Sequence, residues 1–238
     1  MISIDSPPEI VYPSSDGEPL AESYSHLYAI LTTLEVLKQY LSDRMATVLA
    51  DQFLYYSQGF PKLRVAPDVM VIFDVERGGR DNYKLWEEKQ IPKVIFEMTS
   101  AGTRNQDLEF KKNLYEQLGV EEYWLFDPRG EWIPEKLIGY RLDRERYEPI
   151  TDGCSQPLQL RLAVDGELIA FYRQETGEKL LIPDELATAL REESIARQTA
   201  ELQLQQTESE LQETQQRLSE AEALLQRYRQ QFGELPPS

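Results

Sequence analysis

The chain has 238 residues, with 25 Lys and Arg against 42 Asp and Glu, for a net charge of −17. A surface this acidic repels nucleic acid at long range, which excludes a coating or non-specific DNA binder but not a nuclease whose basic groups are confined to one cleft. Cys154 is the only cysteine and His26 the only histidine. Intrachain disulfides, His/Cys zinc sites and Ser-His-Asp chemistry are therefore disfavoured, and a bound metal would have to be a hard cation on carboxylates, magnesium or manganese.

Residues 1–20 read as an irregular arm, broken by Pro7, Pro8, Pro13, Gly17 and Pro19, with neither the basic nor the apolar stretch of a targeting signal. No apolar run approaches the ~18 residues of a membrane span, so a cytoplasmic, membrane-free protein is expected. A helix is predicted over Ser23–Ser42, with Leu27, Ile30, Leu31, Leu34, Val36, Leu37 and Leu41 as its apolar face. A strand is expected near Thr47–Tyr56. The continuous apolar runs Val69–Phe73 and Val94–Phe96 read as strands buried on both faces.

Next comes a predicted helix over Arg104–Leu118, opened by a capping box of Thr103 and Gln106 and closed by Gly119. Tyr123–Phe126 is another buried strand, ended by Asp127-Pro128. Strand, helix and strand within about 35 residues make a βαβ unit, whose two strands are parallel. Shorter strands are expected around 138–142, 147–150, 158–162 and 168–172. Beyond Pro183 the composition shifts: residues 184–238 hold ten glutamines, eleven acids and five bases. Leu204, Leu211, Leu218 and Leu225 recur at seven-residue spacing, with Ala200, Thr207, Thr214, Ala221 and Tyr228 in the other seam position. This is a coiled-coil heptad pattern with one strong and one weak seam. The expected organisation is an arm over 1–20, a globular domain over 21–183 and a helical tail over 184–238 that pairs with a second copy.

Three features point to chemistry. With Phe110 at 0° and about 100° per residue, Leu114, Leu118, Tyr115 and Leu108 define an inward arc. Asp107 and Lys111, near 60° and 100° on the same scale, fall inside it. Charge on a core-facing arc needs a partner, either the i,i+4 pair itself or a polar cleft. Glu97 closes a buried strand, where a carboxylate needs a cation, a metal or a proton unless the strand end is solvated. Asp68 opens the other buried strand, as a site residue or simply a turn aspartate. Two carboxylates on neighbouring strands and a lysine on the next helix would hold a hard cation and steady the charge of an attacked phosphate.

These residues lie in blocks that resemble the Uma-two family, classed with restriction endonucleases of the PD-(D/E)xK superfamily and abundant in cyanobacteria. The blocks are A-P-D-V at 66–69, K-L-W-E-E at 84–88, V-I-F-E-M-T-S at 94–100, T-R-N-Q-D-L-E-F-K-K-N-L-Y at 103–115 and G-V-E-E-Y-W-L-F-D-P at 119–128, with Y-P-S-S-D-G-E-P-L-A-E-S at 12–23 resembling a cyanobacterial branch. The resemblance implies an α/β fold with a restriction-endonuclease-like αβββαβ core. It implies Asp68 and Glu97 as ligands of magnesium or manganese and DNA as substrate. The superfamily lysine usually lies two residues after the second acid, where this chain has Thr99. Lys111 matches a relocated lysine, with Asp107 and Tyr115 in support. An acid of the first helix often joins such sites. Glu22 and Glu35 are candidates, while Glu22 and His26, one turn apart, read as a surface pair. Two rival readings remain: a catalytically weak nuclease-like binding or regulatory module acting through its tail, and pure scaffolding, which leaves the charged core face unexplained.

Overall fold

The computed structural model describes residues 10–15, 23–100, 102 and 106–233. The chain divides into two compact units, one ending at Pro183 and one beginning at Asp184.

In the first unit, helix α1 (Tyr24–Tyr40) precedes strands β1 (Ala46–Leu49), β2 (Leu54–Tyr55), β3 (Arg64–Val65), β4 (Val69–Phe73) and β5 (Tyr83–Lys84). The short helix α2 (Leu85–Glu88) and β6 (Val94–Met98) follow. A π-helical turn (Gln106–Lys111) runs directly into helix α3 (Lys112–Leu118), which leads to β7 (Glu122–Phe126). Strands β8 (Leu137–Asp143), β9 (Arg146–Ile150), β10 (Cys154–Ser155), β11 (Leu160–Asp165) and β12 (Leu168–Arg173) complete the unit. The main sheet has the order β1-β4-β6-β7-β8-β9. Strands β6 and β7 run parallel and every other pair in it is antiparallel. The fold is thus mixed α/β, with the crossover from β6 to β7 carried by the π-turn and α3.

Alternation along the strands divides the core. Val69, Val71, Phe96, Met98, Trp124 and Phe126 face α1 and the small sheet β10-β11-β12. Met70, Ile72, Ile95, Tyr123 and Leu125 face the other way, towards Tyr115 of α3. Both faces of the central strands are covered, which explains their continuous apolar runs.

Several sequence expectations need correction. Leu27 and Leu31 are each 47% exposed, and α1 instead buries Ser25, His26, Ala29, Thr32 and Thr33 beside Ile30, Val36 and Leu37. The strand expected over Thr47–Tyr56 is two short strands, because Asp51 adopts a left-handed φ of 49° and turns the chain from β1 to β2. The helix before β7 is only partly α-helical. Its first described turn closes i→i+5 rather than i→i+4 bonds, which shifts the phase of the wheel. Phe110, which opens the inward arc on the α-helical wheel, is 56% exposed. Gly119 ends α3 at a φ of 83°, as its position after the last apolar residue suggests. The capping residue Thr103 and the candidate acid Glu22 lie outside the described residues.

The second unit is the long helix α4 (Pro183–Phe232) of 50 residues. No helix among the described residues is long and apolar enough to cross a membrane.

Candidate active site

Glu97 is the fourth residue of β6 and is fully buried. Strand alternation turns it to the face opposite Phe96 and Met98, towards the crossover helix. There the Lys111 ammonium donates to Glu97 Oε2 at 2.7 Å and the Tyr115 hydroxyl donates to Oε1 at 2.8 Å. Lys111 also lies 3.0 Å from Asp107 Oδ1. The π-turn sets Asp107, Lys111 and Tyr115 in one inward row, and Tyr123 of β7 pins that turn by donating to the Asp107 carbonyl at 2.9 Å. Asp68, just before β4, reaches the same strand end: its Oδ2 accepts from the Met98 backbone N–H at 2.6 Å. The structure therefore brings Asp68, Glu97, Asp107, Lys111 and Tyr115 together.

Charge in this cluster is unbalanced. Burial pushes the Glu97 carboxyl up to about 8, with Lys111 opposing the rise and Asp68 and Asp107 adding to it. Burial also pushes Asp68 up to about 7, against the pull of Lys111 and the Met98 N–H. Burial pulls the Lys111 pKa down, but Glu97, Asp107 and Asp68 together outweigh it and raise the pKa above the usual lysine value, so it stays an ammonium. Tyr115 is held well above the usual phenol range by burial and by Glu97, which keeps its hydroxyl a donor. Both Asp107 carboxylate oxygens are buried with no hydrogen-bond donor among the described residues, although Lys111 is at ion-pair distance.

One lysine facing three carboxylates leaves surplus negative charge and oxygen donors in one place, a donor set that suits a hard divalent cation. Among the described residues no group of three or more His, Cys, Asp or Glu side chains is placed to hold a metal ion. Magnesium is commonly held by one or two carboxylates, with water and substrate phosphate making up the rest, so the donors to weigh are the carboxylates of the cluster itself. By their chemistry Asp68 and Glu97, two carboxylates meeting at one end of β6, are donors of the kind such a cation takes.

Of the other candidates, Glu35 is a half-exposed surface acid paired with Lys38 at 2.8 Å and takes no part. His26 corrects the surface-pair reading. It is 4% exposed, and its Nε2 lies 3.8 Å from Asp68 Oδ2. Sequence reasoning missed it because the apolar face of α1 was drawn through Leu27 and Leu31. In the Arg77–Arg80 loop, Arg77 donates to the Arg44 carbonyl and Arg80 pairs with Glu88 at 2.9 Å, so these cations are engaged within the protein.

A family model designated Uma2, with the description "Putative restriction endonuclease", matches residues 5–163. Among solved structures, the chain is similar to a crystal structure described as a putative nuclease belonging to DUF820 from Anabaena variabilis ATCC 29413. That match has 14% identity and a TM-score of 0.44, over 68% of this chain and 80% of the other. No curated protein matches.

Proposed function

The chain belongs to the Uma2 family, and from that premise we propose that it is a divalent-metal-dependent endonuclease that hydrolyses DNA phosphodiester bonds. The observation that carries this reading is the buried row Asp107, Lys111 and Tyr115 closing on Glu97, with Asp68 tied to the same strand end. The order α1, the antiparallel set β1-β4-β6, the crossover helix and β7 fits the αβββαβ core implied by the sequence resemblance.

In this reading Asp68 and Glu97 hold magnesium or manganese, which when bound supplies a water of lowered pKa and neutralises phosphoryl charge. Lys111 keeps its proton, so it acts as a fixed positive charge on the attacked phosphate rather than as a general base. Tyr115 and the Met98 N–H fix the two carboxylates, and Asp107 fixes Lys111. The protein works in the cytoplasm on this reading. Its tail pairs two copies through the leucine seam.

The test is nicking of supercoiled plasmid at low salt with magnesium or manganese, since an acidic protein loses affinity for polyanions steeply as salt rises. Nicking that is stopped by chelation and by Glu97→Gln is the expected result. The second reading, a nuclease-like binding module without turnover, is favoured by the net charge of −17. It predicts DNA or protein binding with no metal-dependent nicking.

A further inference from the structure

Beyond Glu97 the chain leaves β6 through Thr99 and Ser100, and at this end of the parallel pair β6/β7 a polar cleft of about 220 Å³ opens. Ser23, His26, Thr99, Ser100, Arg129 and Trp132 are among the residues that line it. It adjoins the site above: His26 also stands 3.8 Å from Asp68, and Thr99 follows two residues after Glu97. We propose that this cleft is a phosphate subsite, holding a backbone phosphodiester of the substrate strand next to the one cleaved; the proposal rests on the nuclease reading.

Three observations carry it. Thr99 is 3% exposed and its hydroxyl has no hydrogen-bond partner among the described residues, although it lines the cleft. A buried hydroxyl left unpaired costs stability unless a ligand satisfies it. The cleft also receives the start of α1, a 17-residue helix with no acid of its own in the first turn, where Glu167 reaches in from outside the helix to accept from the Ser25 hydroxyl at 2.9 Å. Finally, Arg129 reaches the cleft on the turn after β7, and its pairing with Glu131 is loose, 3.9 Å between two half-exposed side chains. Two acids also line the cleft: Glu131, half-exposed and turned towards solvent and Arg129, and Asp127, whose two carboxylate oxygens accept from the backbone N–H groups of Arg129, Gly130, Trp132 and Ile133. A hydroxyl donor, a helix N-terminus and a guanidinium together suit an oxyanion better than a neutral base.

Thr99→Val and Arg129→Gln in the full chain test this. Binding of labelled duplex DNA is measured over a salt series, and plasmid nicking is measured in parallel. Thr99→Val should melt at or above the wild-type temperature, because it removes an unsatisfied buried hydroxyl, yet weaken DNA binding and raise KM by roughly five-fold with little change in kcat. Arg129→Gln should weaken binding and lower the slope of log K against log salt by about one. Wild-type binding and KM in both variants, with nicking intact, would overturn the subsite and leave the nuclease reading standing. Weakened binding in the variants without nicking by the wild type would refute the nuclease and overturn the subsite as a substrate site, leaving only phosphate binding at the cleft. An effect of Thr99→Val that varies with base sequence, with an unchanged salt slope in Arg129→Gln, would overturn the phosphate assignment in favour of a nucleobase pocket.

Discussion

Lys111 meets Glu97 and Asp107 within 3.0 Å and feels Asp68 as well, so one side chain holds most of the counter-charge of the cluster. Lys111→Met should lower nicking by about 10²–10³-fold, the usual cost of removing one group that stabilises transition-state charge. The carboxylates give a separate prediction in metal-free protein. Glu97 rises from 4.5 to about 8 and Asp68 from 3.8 to about 7, with burial as the largest cause for each. Between those limits the folded chain binds more protons than the unfolded one. Stability is then full at the acidic end of the window and is lost as pH rises through about 7 and 8. In EDTA the melting temperature should fall from about pH 5 to about pH 8, the window set by the ordinary carboxyl range below and the raised Asp68 and Glu97 carboxyls above. A flat profile would mean that the two acids are not held out of water as described. Tyr115→Phe keeps the buried ring but strands Glu97 Oε1, and should cost about 1–2 kcal/mol in denaturant unfolding. Much of this site was legible in the sequence. Asp107 and Lys111 were anomalous on an apolar arc, and Glu97 was anomalous at the end of an apolar strand. His26 was not legible, because whether a histidine on a helix is buried depends on what packs over that helix, and α1 buries polar residues where leucines were expected.

At the scale of elements, the short continuous strands were the most readable, since burial on both faces leaves an unbroken apolar run whatever the neighbours are. The π-turn was not readable. An α-helical wheel assumes 3.6 residues per turn, and Gln106–Lys111 departs from it. The wheel still caught Asp107 and Lys111 but put Phe110 inside, where the structure has it 56% exposed. Asp51 likewise gave no sequence signal of the left-handed turn that splits β1 from β2, because aspartate adopts that conformation only where the surroundings demand it. Packing between strands sets another limit. Gly139 of β8 lies opposite Trp124 of β7, and an added Cβ would sit 2.5 Å from the indole ring. Trp124 cannot easily give way, since it is 1% exposed and its Nε1 donates to Glu122 at 3.1 Å. Gly139→Ala should therefore destabilise by about 1–3 kcal/mol, the usual cost of overpacking a closed core. Calorimetry showing an unchanged melting temperature would mean that β8 shifts freely past the indole.

For the whole molecule the question is what 50 residues of exposed helix do in a protein that already carries a closed core and a candidate site. Leu204, Leu211, Leu218 and Leu225 of α4 are 45–60% exposed, and at about 1.5 Å per residue the helix is long enough for four heptads to run side by side with a partner. The weak seam is better suited to burial than its composition suggests. The Thr207 and Thr214 hydroxyls each donate to the carbonyl four residues back, at 2.9 and 2.8 Å, so neither needs water when covered. Each leucine buried contributes about 1.5–3 kcal/mol before the cost of association, which points to a modest dimer with a dissociation constant on the order of 10 µM, about 7 kcal/mol. Acidic residues outnumber basic ones in this segment, so like-charge repulsion across the pair should make dimerisation stronger, not weaker, as salt is added. That sign is opposite to the salt effect expected for DNA binding, so the two assemblies are separable in one titration. Sedimentation of the full chain should show a monomer–dimer equilibrium that tightens from low to moderate salt and is abolished by Leu211→Gln with Leu218→Gln. Nicking activity per chain measured below the dimerisation range then tells whether the tail serves the site. A chain that remains monomeric at every salt concentration, or a double variant that dimerises like the wild type, would remove the leucine seam as the self-association surface.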